Sequence, residues 1–183
     1  MDATLHRYPP RALIGDYIRA AVGLAVGIGI LSVTPPTWPI LTIFGGITVL
    51  FLVFGYRTVQ RHLTEVTLNE TGVGSRSFFR KSIDWDRLNR IKLRFYGTRR
   101  QASGSGSGGF MELKLWDDGT TMAFDSALEG FEYLAWRATK AARDNGVSLD
   151  PASAGNLLQL GIDADSDQPP PGIQPGSPME ERF

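Results

Sequence analysis

One stretch constrains this chain more than any other: from Ala20 to Tyr56 there is no Asp, Glu, Lys or Arg. A helix needs about 20 apolar residues, at about 1.5 Å each, to cross the hydrocarbon core of a bilayer. The stretch is too long for one crossing and suits two short ones. Thr34-Pro35-Pro36-Thr37 divides it, because successive prolines lack the N–H a helix needs and clash with the preceding turn. The pattern predicts a transmembrane hairpin over residues 13–56, with helices over 13–33 and 38–56. Trp38 at one end, and Tyr17 and Tyr56 at the other, suit the headgroup level.

The flanks give an orientation. Arg7, Arg11 and Arg19 precede the hairpin, Arg57 and Arg61 follow it, and the Pro-Pro turn is uncharged. The positive-inside rule then puts both termini in the cytoplasm. A second apolar segment directly after the first argues against a cleaved signal peptide. Asp16 and Arg19, three apart, are placed to pair on the first turns of helix one. Gly23 and Gly27 form a GxxxG element that lets backbones approach closely. The expectation is that helix one packs on helix two there, with Gly45 and Gly46 facing it; homodimerisation is the alternative.

Charge and composition narrow the function. Basic and acidic side chains number 19 each, so the chain lacks the basic surplus of a nucleic-acid binder. It has no cysteine, which removes disulfides, thiolate nucleophiles and Cys-type zinc sites. His6 and His62 are the only histidines, so neither a metal site nor a cofactor is expected. The neutral sum hides an uneven distribution. Residues 57–150 are mildly basic, and the tail sets Asp163, Asp165, Asp167, Glu180 and Glu181 against Arg182.

After Arg57 the period changes from helical to alternating, and residues 57–150 read as a cytoplasmic domain behind an N-terminal segment, 1–12, and the hairpin. Strands are expected over 63–68, 73–81, 88–96, 110–116 and 120–124. Asn69-Glu70-Thr71-Gly72 and Asp117-Asp118-Gly119 read as turns. Ser126-Ala-Leu-Glu129 fits a capping box that opens a helix, with Leu128, Phe131, Leu134, Ala135 and Ala138 on one stripe and Asn145-Gly146 as its stop. The tail, 151–183, contains Pro169-Pro170-Pro171 and is expected to be disordered by itself. Its apolar island Asn156–Ile162 is placed to dock on this domain or on a partner.

Val66-Thr-Leu-Asn-Glu-Thr-Gly-Val73, Ile83-Asp-Trp-Asp86, the strand Phe110–Trp116, Asp118-Gly119 and the closing helix together resemble the bacterial PH-like (pleckstrin-homology-like) domain. In many such proteins the domain follows a two-helix membrane hairpin. The resemblance covers residues 11–146 and departs from the family in the Gly/Ser loop Gln101–Gly109 and in the tail. It implies a membrane-anchored α+β protein of the bacterial inner membrane, with a curled sheet or antiparallel β-barrel capped by a C-terminal helix. It implies no chemistry.

Two surfaces stand out. Arg90, Lys92 and Arg94 share one face of a strand and are continued by Arg99 and Arg100. That face suits anionic lipid headgroups; the competing reading is a solvated strand face partly neutralised by Glu112. Phe110 and Trp116 fall on the outward parity of their strand, and Tyr133 and Trp136 lie off the stripe of the closing helix. With Leu157, Leu158 and Leu160 of the tail, they suggest a partner or self-association surface; the competing reading is packing under the long loop. No nucleophile, base or phosphate loop is legible. The sequence therefore reads as a non-enzymatic membrane protein whose domain binds another protein, an accessory or assembly subunit of a larger membrane complex. The alternative is a lipid-sensing module.

Overall fold

The computed structural model describes residues 3–97, 109–170 and 177–178. The chain forms two compact units, one holding Tyr8–Thr64 and the other the described residues of Met1–Arg7 and Glu65–Phe183. The domain thus begins before the hairpin, not after it.

The smaller unit is a pair of helices, α1 (Pro10–Val33) and α2 (Trp38–His62). Both are long and apolar enough to cross a membrane. Each opens on a proline in its first turn, where the missing N–H costs nothing. Each runs beyond its expected outer end into the charged flank, α1 starting at Pro10 and α2 ending at His62, whereas the ends at the Pro-Pro turn, Val33 and Trp38, fall where expected. Ser32, Thr42, Thr48 and Thr58 donate their hydroxyls to the carbonyl four residues back at 2.8–3.0 Å, so their polar atoms are satisfied within the helix. A Cβ at Gly23 would overlap the Phe51 ring, and one at Gly27 would overlap the Thr48 hydroxyl. Gly45 and Gly46 do not face this contact, since a Cβ on either would meet nothing within 4 Å. The α1–α2 seam therefore sets glycines of one helix against Thr48 and Phe51 of the other.

The larger unit holds two antiparallel sheets. The first has the order β4-β3-β2-β1-β8, where β1 is Thr4–Arg7, β2 Glu65–Leu68, β3 Gly72–Arg76, β4 Arg80–Asp84 and β8 Ser177–Pro178. The second has the order β5-β6-β7, with β5 Arg90–Tyr96, β6 Phe110–Trp116 and β7 Thr121–Asp125. Among the described residues the sheets do not close into a barrel. The physical reason lies at Trp85–Arg87, a 3-10 turn that carries the chain out of the first sheet and into the second. Trp85 is buried there; its Nε1–H donates to the Asn69 carbonyl at 3.1 Å, and Asn145 ties the Trp85 and Leu88 carbonyls to the closing helix.

Three other expectations need correction. The strand expected over 73–81 is a hairpin, broken by Ser77-Phe78-Phe79. Ser126 does not cap a helix: its N–H and Oγ exchange hydrogen bonds with the Met111 carbonyl and N–H, extending the β6–β7 pairing. Helix α3 (Phe131–Asp144) starts behind Gly130, whose φ of 70° is cheap only for glycine. The tail is not simply disordered either. Asp150 caps helix α4 (Pro151–Gln159) by accepting from the Ser153 N–H at 2.9 Å.

Side chains from both sheets and from α3 are buried in this unit: Val66, Val73 and Ile83 of the first sheet, Leu93, Leu113, Leu115 and Phe124 of the second, and Phe131, Leu134 and Ala138 of the helix. The α3 stop is the expected one. Gly146, at φ 69°, lets its own N–H reach the Arg143 carbonyl and that of Val147 reach Ala142.

Candidate interaction surface

The outward face of the β5-β6-β7 sheet brings together residues from both expected surfaces. The register sets Arg90 opposite Trp116, Lys92 opposite Lys114, Arg94 opposite Glu112 and Tyr96 opposite Phe110. Strand alternation explains the sorting: Ile91, Leu93, Met111, Leu113 and Leu115 point inward and are buried, so their neighbours point out.

Each rung has its own contact. The Arg90 guanidinium lies 5.7 Å from the Trp116 ring centroid, a cation–π distance. Tyr96 and Phe110 stack with ring centroids 5.2 Å apart, and they are 40% and 48% exposed. Glu112 accepts from Lys114 at 2.8 Å and from the Tyr96 hydroxyl at 3.3 Å. The Glu112 carboxylate beside it holds the Lys114 ammonium above its ordinary pKa. Lys92 has the Asp150 carboxyl in its neighbourhood, and Asp150 is held below the usual carboxylate range by the Ser153 N–H first and by Lys92 to a smaller degree. The face is therefore basic with acidic inserts, and aromatic at both ends. Arg99 and Arg100 lie outside the described residues.

Other expected partner residues are not on this face. Tyr133 and Trp136 are buried, 8% and 5% exposed. The reason is that α3 is covered on more than its apolar stripe: it packs on the Trp85–Arg87 turn and on β5, and the returning tail binds it through Arg143 to the Ala164 carbonyl at 3.1 Å and Lys140 to Asp167 at 2.9 Å. Leu157 is buried as well, Leu160 is half-buried and Leu158 is exposed.

Leu157 is buried because α4 docks on β5. Ser153 Oγ accepts from the Leu93 N–H at 2.9 Å, and Asn156 Nδ2 donates to the Leu93 carbonyl at 2.8 Å. β5 is an edge strand of its sheet, so these side chains satisfy main-chain groups that an edge leaves open to another chain. An Asp-Pro N-cap followed by a small-residue helix was the available signal in sequence.

Among the described residues no three His, Cys, Asp or Glu side chains are grouped so as to hold a metal ion. His6 is buried in β1, with Nδ1 2.8 Å from the Glu129 carbonyl and Nε2 3.0 Å from the Thr4 hydroxyl. Asn69, part of a glycosylation-like triplet, uses its Oδ1 to accept from the Thr71 and Gly72 N–H groups. Asp117 does the same for Gly119 and Thr120, and these bonds lower its pKa. Comparison with protein-family models, with curated proteins and with solved structures gives no match.

Proposed function

We propose that this chain is a non-enzymatic protein anchored by its helical hairpin in the bacterial inner membrane, and that its domain binds another protein through the outward β5-β6-β7 face. On this reading it serves as an accessory or assembly subunit of a membrane complex. Three observations support the anchoring. The helices have membrane length, apolar side chains such as Ile18, Val22, Leu50 and Val53 are exposed on them, and cationic residues flank only their outer ends. The pairing of β1 with β2 supports termini on one side, because both ends of the hairpin join neighbouring strands. Two antiparallel sheets and a closing helix are compatible with the PH-like resemblance, and the domain is read as such a module.

The observation that carries the binding role is the exposed Tyr96–Phe110 stack sharing a face with Arg90 on Trp116. Aromatic rings and arginine are the residue types that concentrate binding energy at interfaces. Lys114 and Lys92 each have a carboxylate of this chain beside them, Glu112 and Asp150, so the cationic surplus of the face lies with the exposed Arg90 and Arg94, to which a carboxylate from a partner is complementary. The partner segment is therefore read as acidic and partly apolar.

Purification of the full chain in mild detergent tests this, with photo-crosslinking from position 110. A stoichiometric partner or a homo-oligomer is expected, and Trp116→Ala should release it. A monomer that behaves identically with and without Trp116 overturns the reading. Lipid binding by the same face is the alternative, favoured by Arg90, Lys92 and Arg94. Anionic nanodiscs that lose contact with this face when all three become Ala would move the assignment there.

A further inference from the structure

The β3–β4 hairpin ends in Ser77-Phe78-Phe79, with Phe78 49% and Phe79 73% exposed. Two exposed phenylalanines at a turn are unusual, because turns favour Gly, Pro, Asn, Asp and Ser. Exposed Arg76, Arg80 and Lys81 flank them. The ladder register then places this tip. Arg7 is opposite Glu65, Glu65 opposite Arg76, and Arg76 opposite Arg80. One row thus crosses four strands, and the Phe tip projects beyond it. That row is also where the chain leaves for the hairpin after Arg7 and returns from it at Glu65. Tip and hairpin connections share one end of the sheet.

We infer that the Phe78-Phe79 tip, with Arg76, Arg80 and Lys81, is an interfacial anchor that docks the domain on an anionic bilayer surface. The inference rests on the membrane reading of the hairpin and concerns a site separate from the β5-β6-β7 face. Three physical points favour a lipid surface as the occupant. Phe side chains in a cationic setting match the apolar–anionic boundary of a bilayer. Arg76 faces Arg80 on one rung, and the acidic member of the row, Glu65, is paired with Arg7; lipid phosphates supply the missing counter-charge. Distance is the third. Beyond Tyr56 helix α2 runs only through Arg57–His62, about 9 Å at 1.5 Å per residue. The headgroup layer of one leaflet is roughly 5–7 Å thick. Only Leu63 and Thr64 then separate α2 from Glu65, so the covalent link tethers this end of the sheet close to the bilayer.

The absence of cysteine from the chain makes single labels practical. The full chain is reconstituted in nanodiscs of phosphatidylcholine with phosphatidylglycerol, carrying an environment-sensitive fluorophore at Phe79→Cys, at Glu70→Cys on the opposite end of the same ladder, or at Gly29→Cys within the hairpin. Doxyl-labelled lipids are the quencher. Emission from position 79 should be lost to shallow doxyl groups, and emission from position 70 retained. Arg76→Gln with Arg80→Gln, or discs of phosphatidylcholine alone, should restore emission at 79. Melts matching the unlabelled chain show that the variants fold. Quenching at 29 by deep doxyl groups without quenching at 79 overturns the tip and leaves the hairpin in the membrane. Quenching at neither overturns both. Quenching at 79 that ignores lipid charge and the arginine changes overturns the anionic specificity. Shielding of 79 from aqueous quenchers without lipid quenching assigns the tip to a protein contact instead.

Discussion

Arg7 and Glu65, separated by the whole helical hairpin in sequence, stand directly opposite each other on the last rung between β1 and β2, and their side chains form an ion pair. The pair is partly exposed, so by itself it contributes at most about 1 kcal/mol. Its position matters more than its strength. The four residues of β1 belong to the domain's sheet, and His6 within them is fully buried. The hairpin is thus an insertion into a β1–β2 connection, and the N-terminal residues are part of the domain's core.

Replacement of residues 8–64 by Asn-Gly therefore yields a water-soluble domain. A two-residue turn of that type closes antiparallel neighbours such as Arg7 and Glu65, and the chain should melt cooperatively. A chain that starts at Glu65 lacks β1, leaves the β2 edge open and loses the His6 contacts. It should be less stable by on the order of 3 kcal/mol or more, measured by chemical denaturation. Equal stability of the two would show that β1 is dispensable.

The docking of α4 on β5 predicts a second outcome. Ser153 is fully buried and receives the Leu93 N–H, so Ser153→Ala leaves a buried donor unpaired. A loss of about 1–3 kcal/mol is expected, with faster amide exchange at Leu93. Leu158→Ala, on the exposed side of the same helix, should change stability little. A Ser153→Ala protein with unchanged Leu93 exchange would mean that the edge is not protected in this way.

What the sequence made legible follows from how local each signal is. The charge-free run, the Pro-Pro break, the parity of β5 and β6 and the Asn145-Gly146 stop are set by neighbouring residues, and they emerge where read. β1 did not, because four residues before a proline carry no periodicity and become a strand only by pairing with Glu65–Leu68. Ser126 fitted a cap locally, yet the sheet used its hydroxyl for Met111. Tyr133 and Trp136 read as outward from the helical period alone, which cannot register a tail returning across α3. The basic strand face was visible, but its union with Phe110 and Trp116 depends on the β5–β6 register.

The helix seam gives a prediction of its own. Thr48 lies against Gly27, and a Cβ there has no space, whereas Gly46 is open. Gly27→Leu should lower the thermal midpoint of the full chain in detergent, with an overpacking cost of about 1–3 kcal/mol. Gly46→Leu should leave that midpoint unchanged. If Gly46→Leu alone lowers it, the contact runs along a different face of α2.

His6 sets a pH dependence whose sign can be worked out. Burial holds its pKa below the ordinary histidine value, outweighing the opposing Glu129 carbonyl bond and the Glu129 charge. The neutral ring fits the site: Nδ1–H donates to the Glu129 carbonyl, and Nε2 accepts from the Thr4 hydroxyl. Below about pH 6.5 the unfolded chain takes up a proton that the folded chain refuses. Stability from this group is therefore complete above that pH and falls as pH drops toward the lowered value, by up to about 1.4 kcal/mol per pH unit. Asp117 and Asp150, whose carboxyls are held low by backbone N–H groups, remain ionised across this range and lose their contribution only in stronger acid. Denaturant midpoints of the full chain between pH 7.5 and pH 5 should decline with this slope, and His6→Gln should flatten it. His62→Gln serves as the control and should leave the slope in place; a slope that disappears with His62 and survives without His6 would remove the buried ring as its source.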